Sequence, residues 1–188
     1  MGSRGAEAGD DAYWYYRDAF FGLVPAPGGS TLDVGCGEGR VARHLAARGH
    51  RVTGIDASPT LLRLAREAQP EGRYELADAA AMPFPDATFD LAVAYNSLMD
   101  VRDMPATVRE VARVLSPGGR LCASVTHPMS DAGSFQGDDA DAPFLIADTY
   151  FGRNPFEGTL ERDGLSMTFR GWRYPLEDYA RALETPAS

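Results

Sequence analysis

The sequence is poor in cysteine and in long apolar runs, and each shortage excludes a class of protein. Its 188 residues include two cysteines, Cys36 and Cys122, too few for a disulfide framework or a cysteine-rich metal site. We therefore expect a reducing, cytoplasmic setting. No uninterrupted apolar stretch reaches the roughly 18 residues of a membrane span. The first residues are small, polar and acidic, unlike a signal or transit peptide.

Positive charge is also scarce. The chain has 18 Lys and Arg against 27 Asp and Glu, which gives a formal net charge of −9. Contact with a phosphate backbone requires a basic surface stripe, so this balance disfavours a nucleic-acid partner. Hydrophobic residues make up 44% of the chain, an ordinary value for a globular domain. At about 150 residues per domain, we expect one domain with room for a small appendage.

Aromatic residues are sparse in the middle of the chain. Six of the 19 lie at or before Phe21, four lie in 22–134, and nine lie from Phe135 onward. The middle predicts an aliphatic scaffold, and the flanks predict aromatic covers of the kind that line a pocket for an organic ligand. Packing of the flanks alone is the alternative. We divide the chain into an N-terminal aromatic helical cap (1–29), a core (30–127) and a cover with a hairpin and a C-terminal helix (128–188).

Strand-like and helix-like segments alternate through the core with short connections. The pattern predicts strands over 30–34, 51–55, 73–77, 89–94 and 120–125. Helices are predicted over 11–23, 40–48, 105–115 and 175–183, and from Ser58 onward. Such alternation is typical of an α/β fold with a parallel sheet and helices on both faces. Beyond it we expect a loop over 130–142 and a hairpin that pairs 150–151 with 165–172.

Polar residues follow the predicted strands, where each strand reaches the carboxyl edge of the sheet. Ligands of open α/β sheets bind at that edge. The residues are Asp33 in the first strand and, after strands two to five in order, Asp56, Asp78, Asn96 and His127. Their shared placement is more informative than any one of them alone.

The loop after the first strand contains glycines at 35, 37 and 39, which let the backbone approach a ligand closely. A dinucleotide fingerprint would need its third glycine at position 40, where Arg40 stands. Asp33 beside the loop would repel a pyrophosphate and attract an ammonium group. The loop therefore favours a ligand with a cationic amino-acid part over one that bears phosphates.

Two further carboxylates suit the ribose and the base of a nucleoside. Asp56 could accept hydrogen bonds from both hydroxyls of a ribose, or it could instead cap the helix that starts at Ser58. The Asp78 carboxylate could accept from an exocyclic adenine amine while the Ala79 N–H donates to a ring nitrogen.

The motifs 32–40, 54–58, 77–78, 82–91 and 115–121, in this order, resemble those of class I S-adenosylmethionine-dependent methyltransferases. The likeness is greatest to the small-molecule type of ubiquinone and menaquinone biosynthesis. It implies a three-layer, Rossmann-like, doubly wound and mostly parallel sheet with strand order 3-2-1-4-5. It also implies S-adenosyl-L-methionine as the cofactor of residues 30–127, and methyl transfer to a small organic acceptor by in-line displacement.

The resemblance also assigns roles to residues. Asp33 and the glycine loop would hold the methionine part, Asp56 the ribose and Asp78 the adenine, while residues after strand four would lie near the sulfonium. The full cofactor set is Asp33, Gly35, Cys36, Gly37, Gly39, Asp56, Ala57, Asp78, Ala79, Tyr95 and Asn96. No metal is expected.

The cysteine and histidine side chains have fewer candidate roles in the predicted site than the carboxylates. Cys36 is interpreted as a small filler of the loop, without nucleophilic chemistry. His127, after strand five, could serve as a general base or be an ordinary loop histidine. His44 and His50 are expected at the surface.

One departure from the family concerns the end of the chain. Members usually add two more strands after the last predicted helix, and here the chain stops at Ser188. We therefore expect a C-terminally truncated fold whose fifth strand is an exposed edge, open to a homodimer, to the hairpin or to instability. The alternatives in function are a non-catalytic, degenerate cofactor-binding domain and, less favoured, a dinucleotide oxidoreductase.

Overall fold

The computed structural model describes residues 12–137, 139, 141–162 and 165–184. A five-stranded parallel sheet forms its centre, with strand order β3-β2-β1-β4-β5. The predicted α/β class and strand order are confirmed. The strands are β1 Thr31–Val34, β2 Val52–Asp56, β3 Arg73–Leu76, β4 Phe89–Tyr95 and β5 Leu115–Ser124.

Helices cover both faces of this sheet, as continuous apolar strands require. They are α1 Ala12–Leu23, α2 Arg40–Ala47, α3 Pro59–Ala68, α4 Met104–Val114 and α5 Leu176–Glu184. The predicted start of α1 at residue 11 and the predicted tail 185–188 lie outside the described residues. The caps follow from the sequence: the Leu61 N–H donates to Ser58 Oγ at 3.3 Å, and the Ala106 N–H donates to Asp103 Oδ1 at 2.9 Å.

Strand β5 begins earlier than the sequence pattern predicts. The pattern predicts a strand over 120–125, but β5 starts at Leu115 as α4 finishes. Its pairing with β4 jumps from Phe89–Leu115 to Leu91–Arg120, so 116–119 bulge from the ladder. A Pro-Gly-Gly run therefore interrupts this strand without ending it.

The C-terminal third forms two small antiparallel sheets. Strands β6 (Gly133–Phe135) and β7 (Phe144–Ile146) pair with each other, and β6 occupies part of the segment predicted as loop. Strands β8 (Asn154–Arg162) and β9 (Leu165–Arg173) form the expected hairpin, although its first strand begins later than predicted. The turn 163–164 lies outside the described residues.

Hairpin β8–β9 leaves the β5 edge uncovered. Among the described residues β5 is hydrogen-bonded to β4 alone, and the hairpin forms a sheet of its own. Helix α5 packs beside α4, with Leu121 of β5 and Leu183 of α5 lining the groove between them. No helix within the described part of the chain is both long and apolar enough to cross a bilayer.

The expectation that His44 and His50 lie on the surface is wrong for His50. Its side chain is 6% exposed, and its Nδ1 lies 3.1 Å from Thr31 Oγ1. The turn after α2 places His50 next to Thr31 of β1. Burial lowers the pKa of the His50 imidazole. His44 is half-buried, with its ring stacked on Phe21 at 4.0 Å between centroids.

Candidate active site

The glycine loop after β1 is held by backbone contacts from neighbouring strands. Gly35, Gly37 and Gly39 all have positive φ angles, of 69°, 56° and 78°. A Cβ on Gly35 would lie 2.6 Å from Ser97 Cβ, and the Ser97 hydroxyl donates to the Val34 carbonyl at 2.5 Å. The loop is thus fitted against the segment after β4, which leaves no room for a side chain at Gly35.

We expect Gly35→Ala to lower the free energy of unfolding by about 3 kcal/mol. The left-handed backbone costs roughly 1–2 kcal/mol for a residue with a Cβ, and the contact with Ser97 adds strain of a similar size. Gly118→Ala is the matched control, because Gly118 has a φ of 81° and open space around it. Urea denaturation of both variants checks this, and equal losses would contradict the close fit.

Cys36 supports the loop from inside. Its N–H donates to the Ile55 carbonyl at 2.9 Å, and its carbonyl accepts from the Gly39 N–H at 2.8 Å. A Cβ on Gly54 would lie 2.8 Å from the Cys36 sulfur, so the thiol fills space against β2. Burial raises the pKa of this thiol, which removes it as a nucleophile. Because its backbone groups are engaged, direct cofactor binding by Cys36 stays a prediction.

Asp33 is a fully buried carboxylate, 1% exposed, beneath the glycine loop. The Ala42 N–H in the first turn of α2 favours the charged form of this carboxyl and opposes a rise in its pKa, while its Oδ2 has no partner among the described residues. Desolvation raises the pKa of Asp33 to about 7. A buried acceptor without a donor is costly, and an ammonium group or a bridging water would satisfy it.

Asp56 links the end of β2 to the glycine loop. Its Oδ2 accepts from the Gly37 N–H and its Oδ1 from the Ser58 N–H, both at 2.8 Å. Each carboxylate oxygen retains a second lone pair. The predicted capping role and the predicted ribose role are therefore compatible, with Ala57 between the two anchored ends.

Asp78 follows β3 and is exposed. The Ala80 N–H donates to its Oδ1 at 2.9 Å, which orders a turn around Ala79. The next residues are fixed from behind: the Met82 N–H donates to Glu110 on α4, and Arg113 donates to the Met82 and Phe84 carbonyls at 3.1 and 2.8 Å. The segment that follows the predicted adenine-binding residues is thus anchored to helix α4.

Tyr95 ends β4, and Asn96 follows it directly. The Tyr95 ring packs edge-on against Phe20 of α1 at 4.8 Å between centroids, so the N-terminal helix lies over this end of the sheet. Asn96 adopts a φ of 50°, and its carboxamide oxygen accepts from Ser124 Oγ at 3.0 Å. Strained backbone conformations of this kind cluster at functional sites. The Asn96 side chain, however, already has a hydrogen-bond partner, as an ordinary turn residue would.

His127 begins a short 3₁₀-helix, Pro128–Asp131, and caps it. Its Nδ1 accepts from the Met129 N–H at 3.2 Å. A neutral imidazole that accepts at Nδ1 carries its proton on Nε2, so it has no free lone pair for an incoming proton. The general-base role of His127 stays a prediction, and this hydrogen bond weighs against it.

The sequence interpretation missed Ser97 and Asp100. They lie one and four residues after Asn96, so extending the search past the strand end would have found them. Desolvation raises the pKa of Asp100 to about 6, with the negative charge of Asp56 as a second cause.

Comparison with known proteins places this arrangement in a family. Residues 32–123 match a methyltransferase domain model. The chain is 34% identical over 185 residues to the demethylmenaquinone methyltransferase of Thermus thermophilus, which covers 95% of the chain and 77% of the relative. The chain belongs to the class I S-adenosylmethionine-dependent methyltransferases. A solved methyltransferase of this type from Mesorhizobium loti agrees, with a TM-score of 0.71, 28% identity and coverage of 93% of this chain and 79% of that one.

Other methyltransferases match over a shorter span. The 27-O-demethylrifamycin SV methyltransferase of Amycolatopsis mediterranei is 40% identical over 120 residues, 60% of the chain and 44% of the relative. The malonyl-[acyl-carrier protein] O-methyltransferase of Serratia marcescens is 39% identical over 98 residues, 52% of the chain. In that case the chain spans 38% of the relative's length. Membership of this family removes the support for a dinucleotide oxidoreductase.

Proposed function

We propose that this protein transfers the methyl group of S-adenosylmethionine to a small organic acceptor. The observation that carries the proposal is a glycine loop that Asp56 holds through the Gly37 N–H and that directly follows the buried carboxylate Asp33 in β1. Membership of the methyltransferase family supports the same reaction class. A non-catalytic domain that only binds the cofactor is the alternative.

The residues at the loop fit this cofactor. The unpartnered Asp33 Oδ2 is a buried negative group in a position that suits a cationic amino-acid part. Gly35 approaches its neighbours so closely that a side chain would not fit, which leaves backbone alone facing a ligand. The Asp56 oxygens can accept from two hydroxyls in addition to the backbone N–H groups that they already hold.

The bound cofactor would supply an electrophilic methyl group on a cationic sulfur. Asp56 would then hold the ribose, and Asp78 with the Ala79 N–H would orient the adenine. Tyr95 and the aromatic side chains of α1 would exclude water from one side. Positioning and water exclusion of this kind account for much of the acceleration expected here, so His127 need not act as a base.

Calorimetry with S-adenosylmethionine and with NAD tests the first part of the proposal. We expect binding of the former alone, and binding of NAD alone would overturn it. Turnover is then measured with O-, N- and C-acceptors, because the relatives are named for acceptors as different as demethylmenaquinone and malonyl-acyl carrier protein. Binding without turnover on any acceptor of the panel would favour the non-catalytic domain.

The organisation of the chain is part of the proposal. Residues 30–127 would form the cofactor-binding core, 1–29 a cap and 128–188 the acceptor-side cover. The free thiols Cys36 and Cys122 support a cytoplasmic location.

We also expect a homodimer that pairs across the β5 edge, since β5 has one strand partner among the described residues. Light scattering on the purified chain checks this, and a thermally stable monomer would contradict it.

A further inference from the structure

A second cleft lies at the amino edge of the central sheet, where strands β1, β2 and β3 begin. Its volume is about 410 Å³, within the range of pockets that hold small organic molecules. Its walls come from helix α2, from the start of β2 and from the connection between α3 and β3. The carboxylates assigned to the cofactor, Asp33, Asp56 and Asp78, do not line it. The cleft is therefore distinct from the predicted cofactor positions.

One wall of this cleft is apolar. Ala42 and Ala46 of α2 line it together with Val52 and Tyr74 of the sheet. The short side chains of the two alanines leave room that a larger residue at either position would fill. An aromatic ring or a short hydrocarbon chain would be removed from water against this wall, which favours a ligand with an apolar part.

The rim of the cleft is positively charged. Arg51 and Arg73 line it, both are exposed, and neither forms an ion pair within the part of the chain that the structure describes. Glu71 is the one carboxylate among the described lining residues. Burial lowers the pKa of His50, which keeps its imidazole neutral at neutral pH. The lining thus has an excess of positive charge in a chain whose net charge is −9.

Arg51 is oriented by a backbone contact. Its Nε donates to the Gly29 carbonyl at 2.5 Å, while its two terminal amino groups have no partner among the described residues. Asp90 lies beside the same turn, but it does not line the cleft, and it accepts from the Gly29 and Ser30 N–H groups. A guanidinium that is fixed at Nε and open at its other nitrogens suits a carboxylate ligand.

Tyr74 connects the cleft to the glycine loop. Its ring is 7% exposed, and its hydroxyl donates to Gln69 Oε1 at 3.2 Å, a residue that also lines the cleft. A Cβ on Gly39 would lie 2.7 Å from the Tyr74 hydroxyl oxygen. Gly39 ends the glycine loop and is the N-cap of α2. The same tyrosine therefore forms a wall of the cleft and a support of the loop.

We propose that this cleft binds a small organic carboxylate and that its occupant strengthens cofactor binding. The carboxylate would pair with Arg51 and Arg73, and its apolar part would pack against Ala46 and Tyr74. Contact with the Tyr74 ring would restrict the support of Gly39, so the loop would lose less conformational freedom when the cofactor binds. The carboxylate site itself does not depend on the proposed function.

Benzoate and its neutral analogue benzyl alcohol are the probes, titrated by calorimetry into the cofactor-free protein. We expect benzoate to bind about tenfold more tightly, because it alone can form charge-assisted hydrogen bonds with the rim. Arg73→Gln should remove most of this preference. Arg63→Gln is the matched control, because it removes an exposed cation of α3 that does not line the cleft, with the same change in net charge.

Ala46→Leu tests the position of the site. Leucine is a good helix former, so α2 should stay folded, and circular dichroism checks this. The larger side chain should fill the cleft and weaken binding of both probes at least about tenfold. The inference is overturned by equal affinity of the wild type for the two probes, by an equal loss of preference in Arg63→Gln, or by unchanged benzoate binding in Ala46→Leu.

The effect on the loop has two readouts. Benzoate should slow amide hydrogen exchange in 35–39, and it should raise the affinity for S-adenosylhomocysteine about fivefold, with the same factor in the reverse direction. Unchanged exchange together with unchanged affinity would overturn the coupling. Failure of S-adenosylhomocysteine to bind at all would count against the proposed function, while benzoate titration and hydrogen exchange, which need no cofactor, still decide this inference.

Discussion

Replacing Asp56 by Ala should weaken S-adenosylmethionine binding by at least about a hundredfold. Two charge-assisted hydrogen bonds to ribose hydroxyls, worth about 1.5–3 kcal/mol each, would be lost. The same change releases the Gly37 and Ser58 N–H groups, which the Asp56 carboxylate now fixes at 2.8 Å. The loop would lose its tie to β2 as well as its ligand contact. Titration calorimetry measures the change.

Asp56→Asn separates the two effects in part. Its carboxamide has nearly the same volume, but its single oxygen can accept from only one of the Gly37 and Ser58 N–H groups, so one backbone contact is kept while the negative charge is lost. We expect an affinity between those of the wild type and Asp56→Ala. If Asp56→Ala folds normally and binds with unchanged affinity, Asp56 has no part in holding the ribose.

Asp33→Asn should stabilise the ligand-free protein at alkaline pH and have little effect at acidic pH. The folded-state pKa of Asp33 is raised to about 7 from 3.8, so folding takes up a proton between these values. The associated stability is complete below pH 4 and is lost as the pH rises through 7. Above that, the wild type must bury a charge, at a cost of the order of 4 kcal/mol, which the variant avoids.

Urea denaturation of the wild type and of Asp33→Asn at pH 5.5 and pH 8.5 checks this prediction. The difference between the two proteins should favour the variant at the higher pH and shrink at the lower one. The amide donors of the new carboxamide enter a buried place, so the gain will fall short of the full value. A difference that does not vary with pH would contradict a buried, desolvated Asp33.

The sequence was sufficient to predict the central sheet and the carboxyl edge at which the cofactor is expected to bind. Strands β1 to β4 are short apolar runs that each lead into a loop, and Asp56 and Asp78 stand where those runs end. Local rules decide such features: a β-run, a glycine turn and a Ser-Pro helix start each depend on a few adjacent residues. The family resemblance rests on the same segments, so it extended the assignment to the cofactor.

The position of the cover could not be predicted because it depends on distant pairings. Trp172 and Tyr174 join the cover to 99–102 by hydrogen bonds, and no local pattern encodes that contact. His50 was misplaced for a related reason, since its burial depends on Thr31 of another element. Strand β5 was underestimated because its partner strand, and not its own glycine-rich composition, determines where the ladder starts.

Helix α4 is held in place by the packing of its apolar face and also by the polar contacts of Arg113. Its guanidinium is anchored by Glu110 and Asp86 and holds the carbonyls of Met82 and Phe84 in the connection that leads from Asp78 to β4. A residue of α4 thereby fixes the connection that follows Asp78, the residue predicted to read adenine. We expect substitutions at position 113 to alter the discrimination between adenosine and other nucleosides. We also expect chemical modification of the Arg113 guanidinium to impair ligand recognition without blocking a direct ligand contact.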